Sequence, residues 1–179
     1  MTMYLCSTSV LCALLALLLS GTSCSRVTCS NRCCAFVENF PVRLKELRSS
    51  FFKIREYYED KDQIETALMD TSLLMVMQSP FGCRAMTDVL RFYLETVLPA
   101  AEIDSKDFKI PISRIGNIFY ELKRELVYCK DYLSCKKPFE IESIIDTYKK
   151  MEDKGLYKAM GELELLFNYI EEYMVSKKQ

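Results

Sequence analysis

The sequence predicts an all-α fold, a six-helix bundle with a four-helix-bundle core, and three observations carry that prediction. Apolar residues recur at alternating three- and four-residue intervals in segment after segment, which keeps one stripe of each helix against a core. No run shows the two-residue alternation of a strand, and five glycines are too few for the many tight turns of an all-β chain. The longest stripe comes last, between Lys154 and Val175, where Leu156, Ala159/Met160, Leu163, Leu166/Phe167, Ile170 and Tyr173/Met174 repeat over about six turns. At 179 residues, 50% of them hydrophobic and 27% charged, the chain has the composition of one ordinary globular domain.

Met1 to Cys24 has the pattern of a secretory signal peptide, although no Lys or Arg precedes its apolar part. Val10 to Leu19 (VLCALLALLL) is too short to span a bilayer and is followed by the small residues Ser20, Gly21, Thr22 and Ser23. The domain proper is then residues 25–179. No later stretch supplies the roughly 18 uninterrupted apolar residues of a membrane span, so neither membrane insertion nor retention in the cell is expected. Secretion places the remaining cysteines in an oxidising compartment. Cleavage after Cys24 leaves Cys29, Cys33, Cys34, Cys83, Cys129 and Cys135, an even set that reads as three disulfides whose pairing spacing does not choose. Cleavage after Thr22 or Ser23 leaves Cys24 as an odd thiol. A zinc site at Cys29, Cys33 and Cys34 is the competing use, disfavoured without histidine.

Asn39-Phe40-Pro41 is expected to open the first long helix near its cap, running to about Tyr58 with Leu44, Leu47, Phe51, Ile54 and Tyr58 inward. At about 100° per residue, Lys45, Arg48, Arg55 and Glu59 share an arc of roughly 80° beside that stripe. This mainly basic ridge is either a solvated face or a recognition surface. After the polar break at Asp60 to Asp62, a shorter helix is expected over Gln63 to Val76, ended by Ser79-Pro80-Phe81-Gly82. Cys83 to Leu98 resumes helical spacing through Met86, Val89/Leu90, Tyr93/Leu94 and Val97, and Pro99 is expected to stop it. Ala100 to Lys109 reads as a charged loop. Pro111 starts the next helix, with Ile115, Ile118/Phe119, Leu122, Leu126 and Cys129 on one face. Lys136-Lys137-Pro138 is a short hinge before a helix carrying Phe139, Ile141, Ile144/Ile145, Tyr148 and Met151. Gly155 is expected to take a positive φ in a tight turn into the final helix.

Composition removes several functions. Lys+Arg 24 against Asp+Glu 25 leaves a net charge of -1, which gives no general drive toward nucleic acid or an anionic membrane. With His 0, triads and metal sites built on imidazole are excluded. No phosphate-binding glycine loop or cofactor motif occurs. Neighbouring carboxylates such as Glu162/Glu164 or Glu171/Glu172 lie along a helix surface without a cleft, so acid–base catalysis is not expected. A secreted helical cytokine or hormone and a secreted α-helical ligand carrier are the classes that remain.

Five blocks narrow this choice. FPVRLKELRSSF at Phe40 to Phe51, KDQ at Lys61 to Gln63, GCRAMTDVLRFYLETVLPAAE at Gly82 to Glu102, CKDYLSC at Cys129 to Cys135 and KGLYKAMGELELLFNYIEEYM at Lys154 to Met174 together resemble the interleukin-10 family of helical cytokines. The resemblance implies a pairing of Cys33 with Cys129 and of Cys83 with Cys135. Cys29 and Cys34 depart from the family's mammalian pattern and are left to pair with each other. It also implies an intertwined homodimer in which the last two helices of each chain complete the other's bundle, with Leu156, Met160, Leu163, Phe167 and Ile170 packed into the partner. Signalling in the family comes from bridging two kinds of cell-surface receptor chain, a high-affinity chain and a shared second one, with receptor-associated kinases downstream and an anti-inflammatory outcome. Carried over residue by residue, the high-affinity face is Lys45, Arg48, Arg55, Glu59 and Glu65 with Lys158, Gly161, Glu162 and Glu164. Lys158, Glu162 and Glu164 are expected to face outward. Glu59 stands where the mammalian face has a glutamine, and Gly161 where it has a serine.

Overall fold

A computed structural model describes residues 29–136 and 141–178. The expected signal segment and most of the expected hinge, Lys137 and Pro138, lie outside the described residues, as does Phe139. Among the described residues nine α-helical segments and no strand are found, joined into six rods.

The first rod is α1, Arg32–Phe51, followed after a turn by α2, Arg55–Lys61. α1 begins well upstream of the expected Asn39. The Asn31 side chain accepts a hydrogen bond from the Cys34 amide at 2.9 Å and caps the helix. The cysteine arm is therefore helical, and Val37 and Phe40 extend the buried stripe of Leu44, Leu47 and Phe51 toward the amino terminus. Pro41 sits inside α1 on an exposed face. Its missing N–H removes one intrahelical hydrogen bond, a loss that burial of the stripe outweighs. Nor is the first rod one helix to Tyr58: residues 52–54 turn, and Ile54 leaves helical geometry at φ -124.

Residues 62–70 form a strap without regular structure, where a helix from Gln63 was expected. Only α3, Thr71–Gln78, is helical, and it starts where Asp70 accepts hydrogen bonds from the amides of Ser72 (3.0 Å) and Leu73 (3.2 Å). The third rod runs from α4, Gly82–Phe92, through a π-helical turn, Tyr93–Val97, into α5, Leu98–Asp104. Pro99 does not end it. The Leu98 amide reaches back to the Tyr93 carbonyl, so the ladder has already widened where proline has no N–H to give. The expected loop from Ala100 is thus largely helix, closed by a 3-10 turn, Lys106–Phe108.

α6, Lys109–Tyr128, buries Ile112, Ile115, Ile118, Phe119, Leu122 and Leu126, with Cys129 buried at its end. α7, Glu142–Lys150, leads into the last rod, which is α8, Gly155–Gly161, and α9, Leu163–Val175, separated at Glu162. The long last helix is therefore bent, although the Leu166 amide still bonds the Glu162 carbonyl. Gly155 takes helical angles, φ -58 and ψ -36. Its glycine is required by space instead: a Cβ there would lie 2.7 Å from the Tyr148 carbonyl oxygen. The positive φ in this turn belongs to Glu152, at 50°.

α1, α4, α6 and α9 make the four-helix core, with α1 against both α6 and α9, and α4 against α6. Edge-to-face rings thread through it, Phe51 to Phe167 at 5.9 Å, Phe167 to Phe119 at 6.1 Å and Phe119 to Tyr93 at 5.8 Å. The Tyr93 hydroxyl, fully buried, donates to the Ala159 carbonyl at 2.7 Å. α8 packs on α2, and α9 on α1 and α3, within the same chain. An exchanged dimer makes these same contacts between two chains.

Among the described residues three disulfides staple the bundle. Cys33–Cys129 ties the start of α1 to the end of α6, Cys83–Cys135 ties the start of α4 to the segment after α6, and Cys29–Cys34 ties the residues just before α1 to its first turn. The first two close loops of 96 and 52 residues, for which chain entropy allows about 4 to 5 kcal/mol each. Among the described residues no helix is long and apolar enough to cross a membrane.

Candidate functional site

Of the residues singled out by the sequence, Arg48, Arg55, Glu59, Lys158, Gly161, Glu162 and Glu164 lie where α1, its bend, the strap and the last rod adjoin. Arg48 is the joint. Its Nε donates to Glu164 at 2.8 Å, and its Nη2 donates to Asn168 at 2.7 Å and Glu171 at 2.9 Å. Arg48 leaves α1 beside the buried stripe, and Glu164, Asn168 and Glu171 leave α9 at three- and four-residue spacings, so one guanidinium fork spans two turns of the facing helix. Arg55, on α2, donates to Glu59 at 2.8 Å one turn on. The two arginines of the ridge are therefore paired with neighbouring carboxylates. Lys45 and Glu65 are exposed, the latter on the strap.

Lys158 and Glu162 are corrections to the expected outward face. Both turn inward: their side chains are 9% and 12% exposed, and Asp62 beside them is 16% exposed. The Lys158 ammonium lies 2.8 Å from Asp62 and 3.7 Å from Glu162. The Glu162 carboxylate accepts the Leu68 amide at 3.1 and 3.2 Å and the Met69 amide at 2.7 Å. The physical reason is the strap, which crosses this edge of the last rod and has no other acceptor for those two amides in regular structure. Burial pushes the Glu162 carboxyl above its ordinary range, against the lowering influence of the Met69 and Leu68 amides and of Lys158. Gly161 is half-buried under the same crossing, where a Cβ would lie 3.3 Å from the Asp62 carboxylate. Glu164, on the opposite edge, is 39% exposed.

Several contributors have no local sequence signal. Asp62 is one, and Tyr169 is another: it is buried, and its hydroxyl lies 3.4 Å from the Met69 carbonyl and 3.3 Å from that of Asp70. Just ahead of the strap, Lys61 lies over the rings of Tyr57 (3.8 Å) and Tyr157 (4.9 Å), and both hydroxyls donate to Asp104. This ties α2 to α5 and α8. No local pattern announces such contacts, since the partners are 47 and 53 residues apart. Among the described residues no three His, Cys, Asp or Glu side chains gather in a way that would hold a metal ion. The arrangement can recognise a complementary charged surface; it offers no nucleophile or general base in a cleft.

Comparison with known proteins places the chain in a family. The family described as Interleukin 10 matches residues 9–176. The chain is similar to interleukin-10 of Felis catus, 36% identical over 173 residues that cover 96% of this chain and 97% of that protein. It is also similar to interleukin-10 of Gallus gallus, 34% identical over 170 residues, covering 94% and 97%. Among solved structures, human cytomegalovirus IL-10, crystallised bound to a soluble human protein, matches with a TM-score of 0.51 and 25% identity over 82% of this chain and 99% of that one.

Proposed function

The chain belongs to the interleukin-10 family of helical cytokines, and from that premise we propose which of its surfaces does the family's work. It is a secreted cytokine, not an enzyme, and acts by binding cell-surface receptor chains. The high-affinity receptor face comprises Lys45, Arg48, Arg55, Glu59, Glu65 and Glu164, with Gly161 at its margin. The observation that carries this reading is the Arg48 junction, which makes side chains from α1 and α9 one surface. Charges there steer encounter and fix register, while apolar contacts supply buried area. A homodimer then brings receptor chains together, a second, shared chain included. The exchange of the last rods is supported by the sequence of the connection, Lys136-Lys137-Pro138, since a short hinge favours swapping over closure. Light scattering of the refolded protein tests the dimer, and a monomeric mass at micromolar concentration would sink it.

The face itself is tested with Arg55→Glu, since Arg55 is 52% exposed and bonds only one turn away. Against the soluble ectodomain of a high-affinity interleukin-10-type receptor, affinity should fall about tenfold, or about 1.4 kcal/mol. Helicity and assembly mass should be unchanged. Unaltered binding in a surface-plasmon assay would make the ridge a solvated face.

A further inference from the structure

Lys158 and Glu162 belong to the block that resembles the family's receptor face, yet they turn away from solvent. We propose that Glu162, together with Lys158, is a positioning residue: it touches no receptor and instead latches the 62–70 strap so that Glu65 is presented in one conformation. This rests on the receptor-binding reading above and assigns a distinct role within the same site.

The strap has two pins and a free middle. At its start, Asp62 meets the Lys158 ammonium at 2.8 Å and accepts the Ile64 amide at 3.3 Å. At its end, the Leu68 and Met69 amides close on the Glu162 carboxylate, with the Leu68 and Met69 side chains buried. Lys158 stands within reach of both carboxylates and so couples the two pins. Between them Gln63, Glu65, Thr66 and Ala67 are exposed. A segment without helix or sheet hydrogen bonds samples many conformations unless its few contacts hold it. Apparent affinity then falls by the fraction of time the binding conformation is occupied. If loss of the latch lowers that fraction to about one tenth, the dissociation constant rises about tenfold.

The full disulfide-bonded protein is compared with Glu162→Ala, Glu162→Gln, Glu65→Ala and the Glu162→Ala/Glu65→Ala double variant. Amide hydrogen exchange is read at Leu68 and Met69, and binding is read against the soluble high-affinity receptor ectodomain. Exchange at the two strap amides should accelerate about tenfold in Glu162→Ala, by less in Glu162→Gln, which keeps one carbonyl acceptor, with α1 and α9 still protected. Affinity should fall in the same order, and Glu65→Ala should cost less in the Glu162→Ala background than alone. Unchanged strap exchange in both Glu162 variants overturns the latch. Full additivity of Glu162→Ala and Glu65→Ala also overturns it, because a direct receptor contact at Glu162 adds independently. Should Glu162→Ala not fold, Glu162→Gln gives both readouts, with its own double variant. If neither Glu65→Ala nor Arg55→Glu alters binding, the receptor face is what fails, and the exchange rates still decide the latch.

Discussion

Replacing Arg48 by alanine tests the joint between the first and last rods. The guanidinium makes ion pairs with Glu164 and Glu171 and a hydrogen bond to Asn168. The three charged side chains are 36%, 39% and 43% exposed, so solvent screens them, and each pair contributes only about 0.2–1 kcal/mol. The Asn168 bond to a charged donor adds about 1 kcal/mol at this exposure. Removing Arg48 also leaves Glu164 and Glu171, two turns apart on one face of α9, without their shared cation. The expected loss is about 1.5–2.5 kcal/mol at low salt, equivalent to roughly 2–4 °C in Tm for each kcal/mol in a domain of this size. Urea unfolding of wild type and Arg48→Ala, each at about 0.05 M and 1 M NaCl, separates the terms. The electrostatic share should shrink by about half at high salt, where the Debye length is only about 3 Å. Arg48→Lys should recover less than half of the loss, since an ammonium cannot fork to three acceptors. A loss below about 0.5 kcal/mol, or one of the same size at both salts, would refute the reasoning and leave only packing of the aliphatic stem. Because this variant loosens α1 from α9, its receptor affinity mixes stability with contact, which is why Arg55 is the cleaner probe of the face.

Two further outcomes follow from the geometry. Gly155→Ala should destabilise by about 1–3 kcal/mol, because the new methyl meets the Tyr148 carbonyl at 2.7 Å; the sign is decisive in thermal unfolding, since at an unobstructed helical glycine alanine stabilises by about 1 kcal/mol. Asp70→Ala should cost about 1 kcal/mol at neutral pH by removing the cap of α3. The Ser72 hydroxyl and then the Leu73 and Ser72 amides hold the Asp70 carboxyl below its ordinary range, against burial. Its contribution is therefore complete above the unfolded aspartate pKa of about 4 and is lost as pH falls through the lower folded value. The gap between wild type and Asp70→Ala in urea unfolding should close in acid, and a gap that persists below that window would contradict the capping role.

The helical stripes were legible because burial follows local period. Ile115, Phe119, Leu122 and Leu126 in α6, and Leu163, Leu166, Phe167 and Ile170 in α9, are all buried where the three-and-four spacing puts them. Boundaries were less legible wherever a contact from elsewhere competed with local punctuation. Asn39 and Pro41 look like a helix start, but Val37 and Phe40 are buried by the rest of the bundle, so α1 continues upstream. Pro99 looks like a stop, but the π-helical turn before it absorbs the missing donor. Gln63 to Asp70 lacks a helix because the Leu68 and Met69 amides go to Glu162 instead of to carbonyls of their own segment.

The last rod divides what sequence and structure each decide. By itself the sequence determined an all-α chain, an apolar stripe along Leu163, Phe167 and Ile170, and polar residues on both margins of that stripe. At about 100° per residue, Glu162 falls just outside one margin and Glu164 just outside the other, so periodicity treats them alike. Only the tertiary structure decided that a strap covers the first margin, burying Glu162 and Lys158, while Arg48 meets the second and leaves Glu164 partly in solvent. The pairing of the six cysteines likewise lies beyond periodicity: spacing left it open, the family resemblance implied it, and the folded chain has the same three pairs. Periodicity is a property of neighbours along the chain, whereas which margin is covered and which thiols meet depend on distances between segments that only folding brings together.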